Sequence, residues 1–247
     1  MLVASGAVLG ILIASRRSKR LGLDPDAFTR LAGWVLLGGF IGARLAHVFL
    51  YHWADYKDNL GEIVQLWKGG LSSYGGFVGA TVAGALYVRR AGMPFFPYAD
   101  VTSYGFLPAW AVGRLGCFVI HDHPGRLSDF FLAAEMKLNI GTDVHPNIVI
   151  QARHELGLYD GILTAVIALI FVVADRRPRR SGFFLGWMCV LYAIPRFFLD
   201  FLRATDLSGS DARYAGLTPA QYGSIILVLL GGWILWLRPH DVQPESR

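Results

Sequence analysis

The sequence predicts an all-α, polytopic membrane protein with about seven transmembrane helices and a small extracytoplasmic head. Three observations predict it. Of the 247 residues, 54% are hydrophobic and 17% charged, and the mean hydropathy is +0.43, too apolar for an ordinary soluble domain. Several runs approach or exceed the ~20 apolar residues that cross a bilayer. The arginines cluster in short segments between those runs, so the net charge of +5 reads as membrane topology and not as affinity for nucleic acid.

The spans fall at about 2–15, 31–51, 74–91, 97–119, 158–174, 182–202 and 219–237. The first is short for a full crossing. It ends in "RRSKR" with no small-residue cleavage site before it, so it reads as a retained segment and not a signal peptide. "RRSKR" (16–20), "RR" (89–90) and "DRRPRR" (175–180) follow spans one, three and five. The tail "RPHDVQPESR" joins the same side if every span crosses. By the positive-inside rule that side is cytoplasmic, which leaves the N-terminus outside and the C-terminus inside. Residues 1–247 read as one transmembrane domain. The longest polar stretch, 120–157, contains "HDHPGRLSDF" and "GTDVHPN"; it has turn chemistry throughout and reads as the head between spans four and five. Cys117 and Cys189 make no disulfide framework, and mid-span Cys189 reads as core.

Arg44, Arg114, Arg196, Asp200 and Arg203 lie inside spans or at their ends. A charge near the bilayer centre costs about 2.5–3.5 kcal/mol on insertion scales, and such residues usually face an interior cavity. Arg196, Asp200 and Arg203 are spaced i, i+4, i+7 on one helical face, where Asp200 can pair with either arginine. Snorkelling of long side chains to the headgroups is the plain alternative, above all for Arg44. Several arginines converging from different spans exceed what one aspartate neutralises. The guanidinium fork fits phosphate oxygens, and a phospholipid headgroup is the anion met at that depth. "GGLSSYGGFVGA" (69–80) supplies small residues for close helix packing or for backbone contact with a ligand. Tyr74 within it suits either an interfacial anchor or a site.

At this point specific motifs come together. "GRLGCFVIHDHPGR" (113–126) resembles the signature of the bacterial prolipoprotein diacylglyceryl transferases, roughly Gly-Arg-x-Gly-Asn-Phe-x-Asn followed by a later Gly-Arg. "GARLAHVFLYH" (42–52), "LWKGGLSSYGG" (66–76), "RHELGLYD" (153–160), "RFFLDFLRATD" (196–206) and "GLTPAQYGSI" (216–225) resemble further motifs of that family, in the family's order. The resemblance implies a seven-span fold with a periplasmic head in the inner membrane. It also implies transfer of the diacylglyceryl group of phosphatidylglycerol to the lipobox cysteine thiol of a prolipoprotein, forming a thioether and releasing glycerol phosphate. No cofactor and no resident metal are implied.

By motif position, Arg114 and Arg196 correspond to the family's essential arginines, and Asp200 and Arg203 to its nearby acid and arginine. Gly75, Gly76, Gly113 and Gly116 match its glycines, Arg126 its closing arginine, Arg153 and His154 its Arg-His pair, and Tyr159 its tyrosine. These are the expected binding residues for lipid. Tyr74 stands where the family carries a histidine, Cys117 where it carries asparagine, and Asp160 where it carries glutamate. A phenol titrates near 10 and an imidazole near 6.5, so Tyr74 is the poorer base. His121 or His123 is therefore expected to take the thiol proton, with Tyr74 positioning the lipid by hydrogen bonding. Two rival readings stand beside this one. His121, Asp122 and His123 with His145 and His154 could hold zinc. Alternatively, the chain is a relative that binds phospholipid as an accessory protein without transferring it.

Overall fold

A computed structural model describes residues 1–57, 59–65, 69–140, 147–207 and 212–237. The main helices are α1 (Leu2–Arg20), α2 (Pro25–Ala46), α4 (Ser73–Arg90), α5 (Phe95–Ile120), α6 (Leu156–Ala174), α7 (Phe183–Leu199) and α8 (Pro219–Gly232), with a short α3 (Trp53–Tyr56). Among the described residues, five helical segments are long and apolar enough to cross a bilayer: Pro25–Leu50, Phe95–Ile120, Leu156–Ala174, Phe183–Leu202 and Pro219–Trp236. α1 and α4 are not among them. α1 runs on through "RRSKR", so those basic residues form its last turns and not a loop, where cations oppose the helix dipole favourably. The tail 238–247 and His145 lie outside the described residues.

The all-α expectation holds for the apolar runs but not for the polar insert. Residues 124–155 hold three antiparallel strands, β1 (Pro124–Leu127), β2 (Ala134–Asn139) and β3 (Ile148–Glu155), in the order β1-β3-β2. Ala134 pairs with Arg153 and Asn139 with Ile148. The turn residues of the insert lie between strands, and pairing to β3 satisfies the backbone groups that a chain of turns would leave to water.

The chain forms two compact units. One comprises 15–98 and the other 1–14 with 99–247. In the first, α2 packs on α4 through glycines. A Cβ at Gly75 would run into the Gly42 carbonyl and the Ala46 methyl, so close approach of the two backbones requires glycine there.

In the second unit, Tyr104 and Leu107 of α5, Ile167 and Phe171 of α6 and Phe184 of α7 form the core. Buried Asp100 of α5 accepts from the Gly182 and Leu185 amides, each at 2.8 Å. It thereby caps the start of α7, whose own N-cap residue, Gly182, has no side chain to offer. Glu155 ends β3 and caps α6 by accepting from the Gly157 amide at 3.1 Å. Thr218 and Gln221 form a capping box at the start of α8. The Gln221 amide donates to the Phe197 carbonyl at 3.1 Å, tying α8 to the end of α7.

Candidate functional site

The site is built where α5 and α7 end and α6 begins beside the β insert. Gly161 of α6 faces the Arg114 Cβ, and a methyl there would sit 3.3 Å from it, so the two helices approach closely at this level. That approach brings Asp160 to Arg114, with Oδ2 2.5 Å from Nε. Asp160 Oδ2 also accepts from Trp110 Nε1 at 3.3 Å and from the Tyr192 hydroxyl at 3.4 Å. Its Oδ1 is buried and accepts no hydrogen bond among the described residues. The Arg114 guanidinium lies over the Trp110 ring, 4.7 Å from the centroid.

Arg196 enters from α7. Its Nη1 donates to Asp200 Oδ1 at 3.0 Å. Tyr192, one turn earlier on the same helix, is the residue whose hydroxyl reaches Asp160. Arg203 Nε is 3.4 Å from the same Asp200 oxygen, and the Thr218 hydroxyl donates to the other. The expected single helical face for 196, 200 and 203 does not hold. α7 stops at Leu199, residues 200–202 form a 3-10 turn, and Arg203 is extended. Asp200 pairs with both arginines because the chain turns around it. Three guanidinium groups thus share two carboxylates, and the Arg114, Arg196 and Arg203 side chains are 12, 13 and 24% exposed. They are sunk deep enough to feel a low dielectric and open enough to be reached.

The two histidines of "HDH" part company. His121 turns to buried Glu155, with Nδ1 3.1 Å from Oε2. Burial raises the Glu155 carboxyl above the ordinary range. His123 turns the other way. Its Nδ1 bonds the Asp122 carboxylate, so that nitrogen carries the proton, and its Nε2 is the acceptor facing Arg114 Nη1 at 3.4 Å. Burial, aided by the Arg114 charge, holds this imidazole below the usual histidine range.

The other expected residues take varied places. Arg153 is fully buried. It donates to Gln151, to the Gly125 carbonyl at 3.0 Å and through both Nη atoms to Asp206. His154 Nδ1 is 2.9 Å from the Tyr159 hydroxyl, with Phe130 against both rings. Arg126 is exposed on β1. A Cβ at Gly113 would meet nothing within 4 Å, whereas Gly116 faces Leu2. Of the ligands the rival zinc reading offers, His121 bonds Glu155 and His154 bonds Tyr159, and His145 lies outside the described residues.

Tyr74, Gly75 and Gly76 belong to the other unit, where Tyr74 stands exposed in the first turn of α4. Arg44 belongs there too and does not snorkel; its guanidinium is engaged by main-chain carbonyls. It is buried, its Nε donates to the Ile63 carbonyl and its Nη atoms to those of Glu62, Gln65, Gly69 and Gly70. Sequence reasoning missed the central place of Asp160, and with it Trp110 and Tyr192, as well as Thr218 on Asp200. The shared signal was a carboxylate within an otherwise apolar run, which costs too much without a cationic partner.

Comparison with known proteins gives this arrangement a family. The chain matches the family model described as prolipoprotein diacylglyceryl transferase over residues 1–237. It is 31% identical over 235 residues to the phosphatidylglycerol–prolipoprotein diacylglyceryl transferase of Chromohalobacter salexigens, covering 94% of this chain and 84% of that one. It is 29% identical to the protein of that name from Synechococcus elongatus, over 100% of this chain and 89% of the other. To the one from Staphylococcus aureus it is 30% identical, over 93% and 80%. With a match that runs through α1 to α8 and includes every residue of the arginine cluster, the chain belongs to the prolipoprotein diacylglyceryl transferase family.

Proposed function

We propose that this protein transfers the diacylglyceryl group of phosphatidylglycerol to the lipobox cysteine of prolipoproteins, within the bacterial inner membrane. In this reading the helices make seven spans, the β insert is the extracytoplasmic head, the N-terminus is outside and the C-terminus is cytoplasmic. The observation that carries the proposal is the Arg114–Asp160 pair, whose carboxylate also accepts from Tyr192, one turn before the Arg196 that pairs with Asp200 on the same helix end.

The chemistry follows from the charges. The client thiol attacks the glyceryl carbon that bears the phosphate. A C–S bond forms and the C–O bond to phosphate breaks, and its electron pair stays on the departing glycerol phosphate. Negative charge grows on that oxygen, so guanidinium groups fixed beforehand around the phosphate lower the barrier. Arg114, Arg196 and Arg203 hold the phosphate, and Asp160 and Asp200 keep the forks oriented. The buried Asp160 Oδ1 is an acceptor for a headgroup hydroxyl. When phosphate occupies Arg114, the lone pair of His123 Nε2 is released from it and takes the thiol proton, while Asp122 holds the ring in the required tautomer. Tyr74 positions the lipid by hydrogen bonding. Arg153 acts through Asp206 by fixing the segment that bears Arg203.

The test is restoration of growth in a transferase-depleted strain, together with thioether formation on a lipobox peptide from phosphatidylglycerol by the purified protein. Product with both His121 and His123 changed to alanine in a folded variant ends the assignment of the base. Bound lipid without thioether product favours the accessory binding reading, to which the replacements Tyr74 and Cys117 also point.

A further inference from the structure

The turn that follows α5 has a second capacity. Asp122, His123 and Cys117 each present a ligand atom, and the three atoms lie within 4.8 Å of one another. This is a consequence of backbone geometry. His121 adopts a left-handed conformation, φ 51°, which is uncommon for a residue with a Cβ. The chain therefore folds back over the last turn of α5, where the His121 amide donates to the Phe118 carbonyl at 3.3 Å and the Asp122 amide to that of Cys117 at 3.4 Å. The Asp122 carboxylate then bonds His123 Nδ1 and lies within 4.8 Å of the Cys117 thiol.

We propose that Cys117 Sγ, Asp122 and His123 Nδ1 form a three-ligand site for a soft divalent cation of the zinc class. Thiolate, imidazole and carboxylate together are a zinc set, with a fourth position open. They are a poor set for calcium or magnesium, which take oxygen. Ligand atoms around a tetrahedral zinc stand roughly 3.3–3.8 Å apart, so modest side-chain rotations close the cluster. On binding, the Cys117 thiol proton leaves to solvent and the His123 proton moves from Nδ1 to Nε2. The thiolate and carboxylate balance the two positive charges of the metal.

The same step acts on Arg114. With metal on Nδ1, His123 Nε2 becomes a donor, and it faces Arg114 Nη1, which has only protons to offer. Arg114 Nη1 also loses Cys117 Sγ, now 3.7 Å away. Metal binding therefore displaces Arg114 and removes the acceptor on His123. Zinc is an inhibitor of the transferase in consequence; this last step alone rests on the proposed function.

Cobalt(II) titration of the purified protein in detergent tests the site without reference to activity. A thiolate-to-cobalt charge-transfer band is expected to saturate at one equivalent and to be displaced by zinc. It should vanish in Cys117→Ser and in His123→Gln, and persist in Cys189→Ser. Absence of the band, or its survival in a folded Cys117→Ser or His123→Gln protein, overturns the site. In the transfer assay, one equivalent of zinc should remove most of the wild-type rate and leave the Cys117→Ser variant at its own metal-free rate. A cobalt band with undiminished transfer rejects the inhibition and keeps the site. A cobalt band in a protein that never transfers rejects the transferase reading and keeps the site.

Discussion

Arg114 Nε stands 2.5 Å from Asp160 Oδ2, yet out of line for a hydrogen bond, so charge rather than a shared proton holds the pair. Asp160→Ala leaves the guanidinium without its carboxylate in a low dielectric and is expected to destabilise the protein by about 3–5 kcal/mol, as breaking a buried pair does. Asp160→Asn keeps the volume but not the charge. It is expected to fold and to lose transfer by about 10²-fold, comparable to removing one preorganised stabilising group. Thermal unfolding and thioether formation, measured on both variants, check this. An Asp160→Asn enzyme with the wild-type rate would detach Asp160 from the chemistry.

The histidines separate by their partners. His123 Nε2 faces Arg114, whereas His121 is bound to Glu155. His123→Ala should therefore lower transfer by about 10²–10⁴-fold, the usual worth of a general base. His121→Ala should lose much less rate and show its effect on stability instead. Lipid binding by His123→Ala, measured by retention of phosphatidylglycerol, should remain. If His121→Ala proves the more damaging to rate in a folded protein, the assignments are reversed.

How far these relationships were legible in the sequence depends on how local they are. The apolar runs gave the helices, because bilayer length and hydropathy are properties of consecutive residues. Arg114, Arg196, Asp200 and Arg203 stood out because charges among apolar residues need a reason. Asp160 was visible only as a shortened glutamate. Its role depends on Gly161 letting α6 approach α5, a packing fact outside any one segment. The strands of the insert escaped because "AEMKLN" and "IVIQARHE" are short and half-exposed, and their register is set by each other. Arg44 read as a snorkelling side chain because its partners are main-chain carbonyls, which side-chain patterns do not reveal.

Arg44 therefore yields a prediction about folding. Its five carbonyl acceptors come from two stretches, Glu62–Gln65 and Gly69–Gly70, and Tyr56 lies under the guanidinium at 5.2 Å. An ammonium has three donors and no planar fork. Arg44→Lys should leave at least two carbonyls unserved, at about 1–3 kcal/mol each, and should lower the unfolding temperature. Limited proteolysis should then cut first within 57–72. Wild-type resistance in Arg44→Lys would mean that those carbonyls find other donors.

The Arg153–Asp206 pair yields the pH dependence. Arg153 donates to Asp206 through both Nη atoms, which holds the Asp206 carboxyl below the usual aspartate range. A carboxyl depressed by folding favours the folded state when ionised. Its stabilisation is complete above the ordinary aspartate pKa and is lost as the pH falls through the lower, folded value. Asp206 is half-exposed, so solvent screens the pair and the effect is modest. What the pair secures is position, because Gly125 bridges to Arg203 and Arg153 also holds the Gly125 carbonyl. Asp206→Asn should abolish the acid-dependent component of amide protection at 203–206 while leaving neutral-pH stability within about 1 kcal/mol. If Arg203 binds phosphate as proposed, the change should raise the KM for phosphatidylglycerol more than it lowers kcat, because Asp206 acts only through the segment that bears Arg203. Hydrogen exchange across the acid range and steady-state kinetics measure the two effects. Protection at 203–206 with the same acid dependence in Asp206→Asn would show that another carboxyl carries it.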